Sequence, residues 1–281
     1  MNKVAFSTTI FPMDESYLHE FFKSLCNQTY KYFDLIILND GFEGLDKFKR
    51  DYEGLNFIEI IYRGTPAQNR EYAIKYIVKS GYDVVVFGDS DDYFSPNRVE
   101  KTIQLLEEND VVVNELCIFN ESKIIQKGYI SNRFKSNQRI TLEDIKDKNI
   151  FGLSNTAAKV NLLVDLEINE DLVAVDWYIY SRVLLNGFEA VYTDEVITYY
   201  RQYEGNTIGL GHLNADFYLR SLKVKELHYQ QLSVLNELYT KLLNETKLRL
   251  KQCSQNNNFN LSNDNSNNLL WWELPRVTGD E

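Results

Sequence analysis

Five apolar, β-rich runs, at 3–10, 33–39, 55–61, 82–88 and 110–119, alternate with helix-like stretches and constrain the first 120 residues more than any other feature. Leu18, Phe21, Phe22 and Leu25 fall at the i, i+3, i+4, i+7 spacing of one helix face. Val99, Ile103 and Leu106 do the same after Pro96, whose fixed φ suits a first helical turn. The alternation predicts an α/β fold: a mostly parallel sheet flanked by helices on both faces. Such sheets bind ligands beyond the carboxyl ends of their strands. Asp40 and Asp89 both stand just past a strand end, which places them in one crevice.

The rest of the 281 residues reads as a continuation of one core plus an appendage. Ile124 to Ile130 suggests a short strand, and Thr141 with Asp144 a capping box. Residues 174–187 look helical, with a stop at Gly187, and Ala190 to Tyr200 looks extended. From Asp216 to Gln252 the pattern is helical, with Leu235, Leu238 and Leu242 on one face. A docked arm and a homodimerisation element both fit it. Residues 254–268 are an Asn-rich polar tract with too little apolar surface to offset ordering entropy, expected as a flexible linker. Leu269-Leu270-Trp271-Trp272 follows, read as a tail that docks on the body in preference to a membrane-interface anchor.

Net charge is −11, and no cluster of Lys and Arg builds the basic face that nucleic-acid binding requires. The same acidity disfavours broad adsorption on anionic lipid. Three cysteines without a CxxC fit a reducing compartment. Met1-Asn2-Lys3 runs directly into Val4-Ala5-Phe6, and no apolar run reaches the roughly 20 residues of a membrane span. The expectation is a cytoplasmic protein without a transmembrane segment, peripheral membrane association remaining open.

Val84 to Phe87, then Gly88-Asp89-Ser90-Asp91-Asp92, delivers three carboxylates to the end of a buried strand. Acids this close repel unless protons or a cation compensate, and hard divalent cations prefer carboxylate and phosphate oxygens. A solvated turn capping the following helix is the plainer reading of the same residues. Asp-Ser-Asp-Asp followed by Ser95-Pro96-Asn97-Arg98 resembles the DxD region of family 2 glycosyltransferases with the GT-A fold. Further stretches resemble that family in order: Val4 to Ile10, Gln28 to Gly41, Gly64 to Ala73 with Asn69-Arg70, Val175-Asp176-Trp177, and Tyr200-Arg201-Gln202-Tyr203-Glu204-Gly205-Asn206-Thr207. The likeness spans roughly residues 3–210.

The resemblance implies a GT-A, Rossmann-like domain over 1–210, with a nucleotide half at 1–119 and an acceptor half at 120–210. A helical extension at 211–253, the linker at 254–268 and a tail at 269–281 complete the chain. It implies a nucleotide-sugar donor, a UDP-sugar first of all, and a saccharide or glycoconjugate acceptor of surface-polysaccharide assembly. Asp40 would accept from the base N–H, Thr8 or Thr9 would line the base pocket, Arg70 would hold the nucleotide and Asp89 would meet the ribose. Asp91 would ligate Mn²⁺ or Mg²⁺, and Asp176 would be the general base of an inverting, non-processive transfer. From the residues alone, a helix cap near Val175 is the favoured reading of Asp176, and only the resemblance favours the base.

Departures from the family's pattern are specific. Asn39 and Phe42 replace an Asp and a Ser around Asp40, and Val175 replaces the Glu before Asp176. Tyr203 stands where relatives carry His, a position His212 could serve instead. A catalytically degenerate binding or scaffold protein is therefore the main rival reading. A metal-dependent phosphohydrolase is a weaker one, because Tyr93 occupies the position where that motif wants Thr or Val.

Overall fold

The strand runs fold as their periodicity demands. A computed structural model of the chain describes residues 2–121, 123–203, 210–211, 214–255 and 269–273. The first half alternates: β1 (Val4–Ile10), α1 (Glu15–Cys26), β2 (Asp34–Asn39), α2 (Leu45–Asp51), β3 (Asn56–Ile61), α3 (Pro66–Lys79) and β4 (Val84–Phe87). β5 (Tyr93–Phe94), α4 (Arg98–Leu105), β6 (Val111–Asn120), β7 (Lys123–Gln126), β8 (Arg139–Ile140) and α5 (Leu142–Ile145) follow. Then come β9 (Thr156–Lys159), α6 (Val175–Leu185), β10 (Ala190–Arg201), β11 (Leu210–Gly211), α7 (Ala215–Ser233), α8 (Glu237–Gln255) and β12 (Leu269–Leu270).

The main sheet runs β3-β2-β1-β4-β9-β6-β10-β5. β3, β2, β1 and β4 are mutually parallel, as are β6 and β10. The short β9 is inserted antiparallel between the two groups, against β4 on one side and β6 on the other. Both faces are buried, and the two-residue period sorts side chains between two cores. Ala5, Ile36, Val85 and Phe87 pack toward Ala67, Ile74 and Ile77 of α3 and Trp177 of α6. Val4, Phe6, Leu35, Ile37, Val84 and Val86 pack toward Leu18, Phe21, Phe22 and Leu25 of α1, Phe48 of α2 and Val99 of α4.

Local signals fix the helix starts. Asp14 caps α1 by accepting from Ser16 N at 2.8 Å. Thr65 and Gln68 form a reciprocal capping box on α3, with Pro66 at its first position. Pro96 lies in the turn before α4, so that helix begins at Arg98. The stretch expected as one helical pattern is a hairpin: α7 and α8 are separated by 234–236, and Leu235 lies in the turn. Neither Gly nor Pro marks that break; Asn236 does, its side chain accepting from Leu238 N at 2.9 Å. The hairpin docks on α6, where the His228 ring stacks on Trp177 at 3.5 Å. α8 runs to Gln255, two residues into the stretch expected as linker; residues 256–268 and His212 lie outside the described residues. No described helix is long and apolar enough to cross a membrane.

Candidate active site

A cavity of about 410 Å³ opens at the carboxyl ends of β1, β2 and β4 and extends to the start of α6. Thr9, Asp40, Arg70, Asp89, Asp91 and Asp176 all line it. Thr8 does not: it is buried within β1, so Thr9 is the member of the pair that meets the cavity.

The Asp40 end of the cavity is built by short contacts between strand ends and α3. Asn69 Nδ2 donates to Asp40 at 2.8 Å. Arg70 donates to Asp89 at 2.6 Å and to Thr9 Oγ1 at 3.2 Å, joining α3, β1 and the β4 loop. Phe11, just past β1, leaves its ring 39% exposed in the same cavity. The sequence reading passed over it; its only signal is an aromatic standing where a strand ends.

The three loop carboxylates divide their work. Asp92 is buried, accepting from Ser154 Oγ and, at 2.8 Å, from Arg201 N. It fastens the loop to the body, and burial followed by the nearby Asp91 and Asp89 pushes its carboxyl well up. Ser90 Oγ donates to Thr9 O at 2.8 Å, and Arg201 Nε donates to the Asp91 carbonyl at 2.7 Å. Asp91 is left facing the cavity, its carboxyl pushed up to about 6 by burial first and the Asp89 charge second. A hydrogen bond from Tyr203 and the charge of Arg201 pull the other way. Beneath the loop lies Arg98, 1% exposed, its guanidinium 4.2 Å from the Phe94 ring and donating to the Phe87 carbonyl. Burial lowers its pKa to about 9 against the opposing pull of Asp92 and Asp89.

Asp176 does not cap its helix. Ala174 is the N-cap residue, without a side-chain capping bond. The Asp176 carboxylate accepts from Asn149 Nδ2 at 3.0 Å and from Trp177 N at 2.8 Å. Burial pushes it up to about 6 in spite of those two bonds. Gly152 keeps the space beside it open: a Cβ there would meet Asn155 Oδ1 at 3.0 Å and Asp176 Oδ2 at 3.9 Å. Asn149 and Gly152 carry no motif, and nothing in the sequence singles them out.

A mixed α/β chain whose central sheet, flanked by helices, ends its parallel strands at an acidic cavity has the architecture of GT-A glycosyltransferases. The chain belongs to glycosyl transferase family 2: that family's profile matches residues 10–160. No curated protein matches it in sequence. Among solved structures, S. aureus TarS 1-349 in complex with UDP-GlcNAc superposes with a TM-score of 0.64 at 20% identity, covering 87% of this chain and 71% of that one. The mannosyltransferase PcManGT from Pyrobaculum calidifontis, in complex with GDP-Man and Mn²⁺, gives 0.60 at 12% identity, covering 90% and 73%. GalNAc-T7 with UDP, GalNAc and Mn²⁺ gives 0.58 at 12% identity, covering 73% and 45%. Against the longer S. aureus TarS structure, the chain spans 39% of that protein's length. At these identities the likeness is one of fold.

Proposed function

We propose that the chain transfers a single sugar from a UDP-sugar to a saccharide or glycoconjugate acceptor, with inversion at the anomeric carbon. The observation that carries this reading is the convergence of Asp40, Arg70, Asp89 and Asp91 with Asp176 in one cavity. On this reading 1–119 bind the donor and 120–210 contribute the acceptor side.

Asp40, held by Asn69, accepts from the base N–H, and the exposed Phe11 ring offers a face for the base to stack on. Arg70 and Asp89, paired with each other, form the floor under the ribose and phosphates. Asp91 suits a divalent cation. Its carboxylate is costly to ionise beside Asp89, and Arg70, the cavity-lining cation, is engaged by Asp89. No group of three or more His, Cys, Asp or Glu among the described residues forms a complete ligand set, so Mn²⁺ or Mg²⁺ would take its other oxygens from the donor's diphosphate. Bound there, the cation supplies neutralisation of the charge that develops on the leaving phosphate. Asp176 takes the proton of the acceptor hydroxyl. The acceptor oxygen bonds to the anomeric carbon as the bond to the phosphate oxygen breaks on the opposite face, which inverts the centre.

Calorimetric titration of UDP with and without Mn²⁺, on the native chain and on Asp91→Asn, tests this. The reading expects metal-dependent binding that the variant loses. Equal binding by both proteins, or none by either, counts against it.

A further inference from the structure

Besides its carboxylates, the cavity has an apolar wall. Leu116, Ile150, Val173 and Val175 form it, together with Trp271 and Trp272 from the C-terminal segment. Residues 269–273 of that segment touch the body at several points. Leu210 and Gly211 pair antiparallel with Leu270 and Leu269. Lys225 Nζ donates to the Trp272 carbonyl at 3.2 Å, and Arg133 pairs with Glu273. Trp271 stands edge-on to Trp177, the residue after Asp176, at 5.7 Å, and Trp272 edge-on to Trp271 at 5.6 Å. Several polar atoms of the cavity's lining are buried without a hydrogen-bond partner, Asn155 Oδ1 and Trp272 Nε1 among them, and one adjoins Asp176. Asn149, 6% exposed, spends its amide N–H on Asp176, and its Oδ1 is buried without a hydrogen-bond partner.

We propose that this wall bounds the acceptor subsite, that its occupant is a pyranose ring, and that Trp271, Trp272 and Asn149 determine its specificity. The inference rests on the reading of Asp176 as the base and of the Asp40 end as the donor site. A pyranose has an apolar face of C–H groups and a rim of hydroxyls, and it needs both an aromatic or aliphatic wall and a few well-placed acceptors. The tryptophans supply the first and Asn149 Oδ1 the second. Because Asn149 also holds the carboxylate, a hydroxyl donating to its Oδ1 brings the ring's next hydroxyl toward Asp176. A site for a bare nucleotide would not require this wall, since the proposed nucleotide contacts lie at the Asp40 end.

All three tryptophans of the chain stand in this cluster, so tryptophan fluorescence reports on it. The experiment titrates a panel of methyl glycosides (glucose, galactose, mannose, N-acetylglucosamine and N-acetylgalactosamine, both anomers) into the full chain saturated with UDP and Mn²⁺. Affinity is read by calorimetry in parallel. At least one glycoside is expected to change the fluorescence. Trp272→Ala and Asn149→Ala are expected to weaken its binding about tenfold or more, as truncation of a pocket anchor does. Trp272→Phe retains most of the affinity and guards against a simple folding defect, and UDP binding stays native in all three variants. A full chain that binds UDP yet responds to no glycoside overturns the proposal, as does native glycoside affinity in Trp272→Ala. Preference for a long-chain alcohol over every glycoside replaces the saccharide with a lipid. Failure of UDP binding itself strikes the donor reading instead.

Discussion

Asp176 shows how a single residue type becomes informative only through its surroundings. Its carboxyl sits at about 6, raised by burial above the ordinary value of 3.8. On the proposed reading of Asp176 as the general base, a pKa that approaches the operating pH suits the role, and burial supplies it. The same burial makes the ionised form a liability for folding. As pH rises from about 4, the unfolded chain loses this proton first, so the folded state binds more protons and stability falls until about pH 6, where the penalty is complete. Asp176→Asn is therefore expected to abolish transfer by at least ~10²-fold while leaving UDP affinity intact. At pH 7 it should also be more stable than the native protein by ~1–3 kcal/mol. Thermal melts of both proteins at pH 4 and pH 7 check the stability claim. A gap that fails to widen with pH refutes it. In activity, kcat/KM is expected to fall as pH drops below about 6 and to lose that dependence when Asp176 is replaced.

At the scale of elements, the sequence states some things loudly and others not at all. The strands β1, β2, β4 and β6 announce themselves because both faces are buried, which forces nearly continuous apolar runs, whereas β3, at the sheet edge, is only part-buried. β9 is Thr-Ala-Ala-Lys, too short and too mild to register, yet it joins the two parallel halves. Its place is decided by the strands around it. The hairpin break at 234–236 was hidden because its leucines continue the helical period. Site residues follow the same division: Asp40, Arg70, Asp89 and Asp91 lie in recognisable segments beside parallel strands, whereas Asn149, Gly152 and Trp272 reach the cavity from irregular chain or from far along it. The β4 loop shows how tightly an element can be set. A Cβ on Gly88 would meet the Phe94 ring at 2.6 Å and the Phe6 ring at 2.7 Å, and those rings in turn flank Arg98. Gly88→Ala is expected to cost ~1–3 kcal/mol as overpacking and to shift Asp89 and Asp91 together. Denaturant unfolding measures the first effect and Mn²⁺-dependent UDP calorimetry the second. Native behaviour in both would show the rings free to give way.

For the whole molecule, the hairpin of α7 and α8 packs the C-terminal third against α6 beside the cavity, and its keystone is His228. The ring is fully buried, stacked on Trp177 and edge-on to Tyr229 and Tyr239, and neither ring nitrogen has a hydrogen-bond partner. Burial, aided by the charge of Lys225, holds its pKa well below 6.5. The sign is opposite to that of Asp176. As pH falls, the unfolded chain takes up this proton first, so stability present above about pH 6.5 is lost on acidification. The raised carboxyls of Asp91, Asp92 and Asp176 push the other way as pH falls, so the histidine's share is read from the difference between the native protein and a variant that lacks it. His228→Phe keeps an aromatic ring on Trp177 and removes the titration. On going from pH 7 to 6 the native protein is expected to fall in stability relative to the variant, by up to ~1.4 kcal/mol per pH unit. Parallel denaturant titrations at pH 7.5, 6.5 and 6.0 decide the matter. If the hairpin docks through this stack, Trp177 fluorescence will change with the same midpoint, because undocking exposes the residue next to Asp176. Identical pH slopes in the two proteins would mean that the acid response arises elsewhere and that His228 is only a shape in the core.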